Sequence, residues 1–167
     1  EGPGGHQDGL GSGLLDEITI LLEPGRSIIA DAGICLTTVR NVKQRPTANS
    51  QLPTDNWLLT DAGFNLLLSM ETYKWYYHLT SAERPDEPHD SPYKVAGPLC
   101  DGGDVYFDIE GENRLPNHRM LPKDVKPGEV LVLLNCGAYS LSQASQYNAR
   151  FLPPVVLIDM SGEPQLI

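Results

Sequence analysis

Lys126-Pro127-Gly128-Glu129-Val130-Leu131-Val132-Leu133-Leu134-Asn135-Cys136-Gly137-Ala138-Tyr139 shows in one stretch how this chain is built. A breaker cluster leads into an apolar run of strand length, which ends in a turn of small residues. A continuous run such as Val130 to Leu134 predicts a buried strand. The pattern repeats on either side. Ile34 to Val42, Trp57 to Thr60, Tyr73 to Leu79, Lys94 to Ala96, Val105 to Ile109 and Val155 to Asp159 are all of strand length. Arg45-Pro46, Asp61-Ala62-Gly63, Arg84-Pro85-Asp86 and Pro116-Asn117 punctuate them, and Ser81 to Ser91 reads as an exposed polar loop. Sixteen glycines and fourteen prolines in 167 residues favour short strands and tight turns over long helices. The fold class expected is mainly β: an antiparallel sandwich or Greek-key β-barrel over residues 33–167, with short helices at Phe64 to Met70 and Leu141 to Gln146.

Upstream of Gly33 the pattern differs. Glu1 to Gly13 holds six glycines and few apolar side chains, too little to offset its ordering entropy, and is expected to be a disordered leader or a non-native remnant. Leu14 to Glu23 contains the dense run Ile18 to Leu22, expected as a strand buried on both faces, as in a parallel sheet or barrel. A short helix is expected at Ser27 to Ala32, stopped by Gly33. Residues 14–32 thus form a segment distinct from the β-domain that follows.

Twelve basic residues against twenty-two acidic ones give a formal charge of −10, a field that repels a phosphate backbone and argues against nucleic acid as partner. No apolar run approaches the roughly 20 residues needed to span a bilayer, and no secretion signal is visible. Cys35, Cys100 and Cys136 are odd in number and widely spaced, so reduced thiols in a cytoplasmic protein are expected, with Cys35 and Cys136 packed as small hydrophobes. His6, His78, His89 and His118 have no ligand spacing, and no metal is assigned.

Three blocks carry chemistry. Glu23-Pro24-Gly25-Arg26 puts an acid and an arginine at the carboxyl end of an apolar strand, where βα-barrels place active sites; by itself it is also an ordinary charged turn. Gly97-Pro98-Leu99-Cys100-Asp101-Gly102-Gly103-Asp104 is a glycine-rich turn with a thiol and two carboxylates, a setting in which a thiol can serve as an acid. The plainer reading is a turn with solvated aspartates. Gly137-Ala138-Tyr139 brings backbone close to a neighbour and sets a phenol at the mouth of the turn, where packing alone would also explain it.

In this order the blocks resemble those of pyridoxal-phosphate-dependent decarboxylases with the alanine-racemase type of fold, the group that includes diaminopimelate, ornithine and arginine decarboxylases. Leu59-Thr60-Asp61-Ala62-Gly63-Phe64-Asn65 is similar to the family's DAGxN turn, and Gln146-Tyr147-Asn148-Ala149-Arg150 to its NYNxR segment, followed by Pro153-Pro154 and a closing strand. The likeness runs from about Leu14 to Asp159. It implies that the chain is the C-terminal portion of such an enzyme, with residues 14–32 the last strand and helix of an otherwise missing (β/α)8 barrel. It also implies pyridoxal 5'-phosphate as cofactor and a small-molecule amino-acid substrate. Glu23 matches the acid that faces the pyridine nitrogen. Gly25 and Arg26 match groups that hold the cofactor phosphate or a substrate carboxylate, and Tyr139 matches a tyrosine that reaches the phosphate. Cys100 matches the catalytic proton donor, Asp101 the acid that binds the far amine of the substrate, and Tyr73 a substrate-side tyrosine. Because Cys100 and Asp101 enter the neighbouring subunit's site in relatives, a homodimer with shared active sites is implied.

Two departures qualify the likeness. Ser69-Met70 stand where diaminopimelate decarboxylases carry the arginine-proline pair whose arginine grips the distal carboxylate. The resemblance therefore points away from diaminopimelate itself, toward another amino acid or a conjugate from a specialised pathway such as siderophore assembly. Nothing ahead of Glu23 supplies the family's Schiff-base lysine, so the chain alone is expected to be inactive. The alternative is a catalytically dead relative retained as a dimerising, regulatory module.

Overall fold

The computed structural model describes residues 19–46 and 54–167. The expectations for residues 1–18 lie outside that range. Among the described residues eight strands form: β1 (Cys35–Pro46), β2 (Thr54–Thr60), β3 (Leu79–Ser81), β4 (Ser91–Ala96), β5 (Arg119–Leu121), β6 (Val130–Leu133), β7 (Val156–Ile158) and β8 (Pro164–Leu166). Helix in these residues is limited to α1 (Arg26–Ile29), continued by a 3-10 turn at Ala30–Ala32, to α2 (Leu68–Tyr73), and to 3-10 turns at Leu141–Gln143 and Tyr147–Ala149. Six strands make one sheet in the order β3-β6-β1-β2-β4-β5, and β7 and β8 pair as a separate hairpin. The edge strands β3 and β5 approach one another, so the sheet is nearly closed and barrel-like.

Alternation decides what faces inward. Thr37 and Val39 of β1, Leu58 and Thr60 of β2, Tyr93 and Val95 of β4, and Leu131 and Leu133 of β6 are buried, as the period of two requires. Leu67, Met70, Tyr77, Tyr106 and Leu121 complete the core. Two buried phenols are satisfied in place: Tyr106 donates to the Ala62 carbonyl at 2.9 Å and Tyr93 to that of Pro122 at 3.2 Å. Arg119 is buried among them. Its guanidinium donates to the carbonyls of Tyr77 (3.3 Å) and Tyr106 (2.9 Å) and lies over Tyr76, 4.3 Å from the ring centroid.

The structure departs from several expectations. The sheet is not purely antiparallel, because β2 and β4 run parallel, with Leu58 opposite Val95. Residues 19–23 form no strand, and Ile20, Leu21 and Leu22 are exposed, since no described strand lies beside them to take up their backbone groups. Tyr73 to Leu79 is not a strand: α2 extends to Tyr73, Lys74 closes it in the left-handed region, and pairing begins only at Leu79. The helix expected at Phe64–Met70 is accordingly displaced to Leu68–Tyr73 (α2), because Gly63 to Leu67 form turns. Val105 makes one bridge to Ala96 and no strand follows. Leu141 to Gln146 yields only the 3-10 turn Leu141–Gln143. The strands β5 and β8, three residues each, carry no readable pattern in the sequence, because each is too short to show an alternation.

Candidate active-site residues

Block one and block three meet. The Gly137 N–H donates to the Ala30 carbonyl at 2.9 Å, and the Cys136 N–H to Gly33 at 2.8 Å, so the turn after β6 is tied to the helical turn after Arg26. A side chain on Gly137 would fall on the Ile29 carbonyl, and one on Gly25 would fall on the Tyr139 hydroxyl. Arg26 crosses this corner. Its Nη1 donates to the Ala138 carbonyl and its Nη2 to Ser69 Oγ at 3.0 Å. The guanidinium carbon stands 4.0 Å from the Trp75 ring centroid and 5.1 Å from that of Tyr139. Among the described residues no carboxylate pairs with Arg26. A half-buried guanidinium flanked by aromatic rings and lacking an acid partner is suited to an oxyanion, carboxylate or phosphate.

Block two forms a second centre with the segment 145–150. Asp104 is buried and accepts the N–H groups of Phe64 and Leu99, each at 2.8 Å, so it pins the Gly63 turn to the Cys100 loop. Gly63 and Gly97 leave room for it: a Cβ on either would strike its carboxylate. Burial raises the pKa of Asp104 above the ordinary carboxylate range despite those two donors. Cys100 is exposed at the tip, and its N–H donates to Asn148 Oδ1 at 2.6 Å. Asp101 accepts from the Gly103 N–H at 2.8 Å and from the Tyr147 hydroxyl at 3.0 Å. That bond raises the phenol pKa of Tyr147. Arg150 completes the clamp with a 2.8 Å bond to the Pro98 carbonyl.

The structure therefore gathers Gly25, Arg26 and Tyr139 into one corner and Cys100 and Asp101 into one loop. Glu23, two residues ahead of Gly25, is exposed, and Tyr73 is exposed at the end of α2. The segment 138–150 joins the two centres: Ser69 Oγ donates to Gln143 at 3.0 Å, and the Ser145 N–H to the Asn65 carbonyl at 2.8 Å. Trp75 and Gln143 carry no signal in the sequence, and Asp104, one of the two carboxylates of the second block, is buried rather than solvated. Trp75 sits in the aromatic run Tyr73 to Tyr77, which looks like strand, and only the helix end at Lys74 turns it toward Arg26. The other thiols face no such setting. Burial pushes the pKa of half-buried Cys35 up to about 12 and that of Cys136 up to about 11. Among the described residues no group of His, Cys, Asp and Glu could hold a metal, and no helix is long and apolar enough to cross a membrane.

A nearly closed sheet with an arginine-tyrosine corner and a thiol-bearing glycine turn defines a class of protein. The chain belongs to the pyridoxal-dependent decarboxylases, matching the family's C-terminal sheet domain over residues 26–137. It is similar to diaminopimelate decarboxylase of Escherichia coli K12, at 40% identity over 154 residues, which cover 90% of this chain and 34% of the relative. A solved diaminopimelate decarboxylase superposes with a TM-score of 0.72 at 40% identity, over 86% of this chain and 32% of the other. Another, from Methanocaldococcus jannaschii in co-complex with L-lysine, gives 0.68 at 32% identity, over 86% and 29%. The chain spans about a third of the length of the curated relatives it matches.

Proposed function

We propose that this chain is the C-terminal part of a pyridoxal 5'-phosphate-dependent amino-acid decarboxylase, a carboxy-lyase that works as a homodimer with shared sites in the cytoplasm. The observation that carries the reading is Arg26: a half-buried guanidinium with no acid partner among the described residues, held between Trp75 and Tyr139 at the corner where the first and third blocks meet. Its donors, with the Tyr139 hydroxyl beside Gly25, fit the phosphate of that cofactor or a carboxylate of the substrate. Glu23, exposed two residues ahead of Gly25, would face the pyridine nitrogen. When bound, the cofactor ring supplies the sink for the electron pair left by departing carbon dioxide.

The chain's own residues would orient and move protons. Cys100 Sγ, exposed on a loop fixed by Asn148, would give a proton to the substrate's α-carbon in the partner subunit's site. Asp101, oriented by Tyr147, would hold the substrate's far amine, and Tyr73 would line the same space. Ser69 is neutral and engaged by Arg26, so this position offers no cation to a distal carboxylate. We therefore favour a substrate other than diaminopimelate, either another amino acid or an amino-acid conjugate of a specialised pathway. The test is release of carbon dioxide by the full-length protein with pyridoxal 5'-phosphate across a panel of amino acids and conjugates, repeated with Cys100→Ala. Release from none of them, or an unchanged rate in that variant, would overturn the corresponding part of the reading.

A further inference from the structure

We infer that Ser69 and Gln143 are positioning residues for the oxyanion seat at Arg26, with Trp75 as its aromatic wall. The inference rests on the reading of Arg26 given above and adds what holds it. Ser69 is fully buried in α2, yet its hydroxyl both receives and gives a bond: Arg26 Nη2 donates to it at 3.0 Å, and it donates to Gln143 Oε1 at 3.0 Å. A hydroxyl has one proton. Because that proton is spent on Gln143, the oxygen lone pairs are turned toward the guanidinium. Gln143 thus sets the direction in which Ser69 accepts, and Ser69 sets the plane of Arg26.

The same guanidinium is anchored at its other end by the Ala138 carbonyl and faced by Trp75 at 4.0 Å. Two fixed acceptors and a ring leave Nε and the outer hydrogens of Arg26 as the donors free for a ligand. The three supports come from two separate parts of the chain: Ser69 in α2 with Trp75 two residues past its end, and Ala138 in the turn after β6. An arginine otherwise loses considerable rotamer freedom on binding an anion, and a pre-set plane removes that cost. Gln143 itself is only half-buried and is not part of the core.

The experiment uses the full-length protein with three variants, Ser69→Ala, Ser69→Thr and Gln143→Ala, and Arg26→Gln as reference. Two dissociation constants are read: that of pyridoxal 5'-phosphate for the cofactor-free protein, with inorganic phosphate as competitor, and that of succinate, followed through the visible spectrum of the bound cofactor. Ser69→Ala and Gln143→Ala should each weaken one of the two by about three- to tenfold, and Ser69→Thr, which keeps the hydroxyl, should restore it. The constant that moves tells whether phosphate or carboxylate occupies the seat. If Arg26→Gln weakens binding while both alanine variants bind as the parent does, the positioning role is wrong and the Arg26 reading stands. If Arg26→Gln moves neither constant, that reading falls and the inference with it. Gln143→Ala, outside the core, keeps the test decisive should Ser69→Ala fail to fold.

Discussion

The Tyr139 hydroxyl occupies the space where a side chain on Gly25 would stand. Two segments far apart in sequence are thereby in contact through an absent Cβ, and Gly137 repeats the device with a different neighbour, the backbone carbonyl of Ile29. The difference between the two neighbours sets different consequences. Tyr139 is partly exposed and can swing aside, so Gly25→Ala should cost under about 1 kcal/mol while displacing the ring from Arg26. The Ile29 carbonyl cannot move without its helical turn, so Gly137→Ala should cost about 2–4 kcal/mol. Urea unfolding of both variants checks this, and equal costs would refute it.

Thiol chemistry offers a second check. Cys100 is exposed, whereas burial raises the pKa of Cys35 to about 12 and of Cys136 to about 11. A thiol reagent at pH 8 should modify Cys100 promptly and the other two only after unfolding. Peptide mapping of the labelled protein reads the outcome, and early labelling of Cys136 would contradict it.

Asp104 should matter for stability more than its place in a glycine-rich loop suggests. Removing its carboxylate in Asp104→Ala leaves the Phe64 and Leu99 N–H groups without their acceptor. A loss of about 2–4 kcal/mol is expected, together with loosening of the Cys100 loop, seen as faster amide exchange from Leu99 to Asp104.

The pH dependence should carry two opposite contributions. Burial acts to raise the pKa of Asp61, but the Thr38 N–H, the Thr37 hydroxyl and Arg40 outweigh it and hold the carboxyl below its ordinary range. Its stabilisation is present above the unfolded-state pKa and is lost as pH falls through the lowered value, by about 1 kcal/mol because Arg40 is exposed and screened. Asp104, with its pKa raised mainly by burial, contributes in the other sense: its share is complete below the unfolded pKa and fades as pH rises through the raised value. Unfolding free energy against pH should lose its acid-side fall in Asp61→Asn and its later decline in Asp104→Asn.

In Tyr147→Phe the Asp101 carboxylate loses its phenol partner, while the Phe64–Tyr147 ring contact, 5.4 Å between centroids, is kept. Stability should change little, because the lost bond lies at the surface. If Asp101 binds the substrate's amine, KM in the full-length enzyme should rise several-fold with kcat little altered. A fall in kcat alone would argue against that role.

How much was legible follows from the range of the forces involved. Val130 to Leu134, bounded by a breaker and a small-residue turn, became the buried strand β6, because an apolar run with a turn at each end has few other ways to satisfy itself. The helical turn near Ser27 to Ala32 was legible for the same local reason. Tyr73 to Leu79 misled: aromatic residues suit a strand, but packing of Met70 and Tyr77 into the core outweighed that preference and carried α2 to Tyr73.

By itself the sequence determined the mainly β class and the three blocks that bear arginine, thiol and tyrosine, since these depend on neighbouring residues and short turns. Tertiary structure alone decided that β2 and β4 run parallel, that Trp75 and Ser69 close upon Arg26, and that Asp104 is a buried anchor beside an exposed Cys100. Those outcomes arise from contacts between residues tens of positions apart, and their energies exist only once the sheet has brought the backbone together.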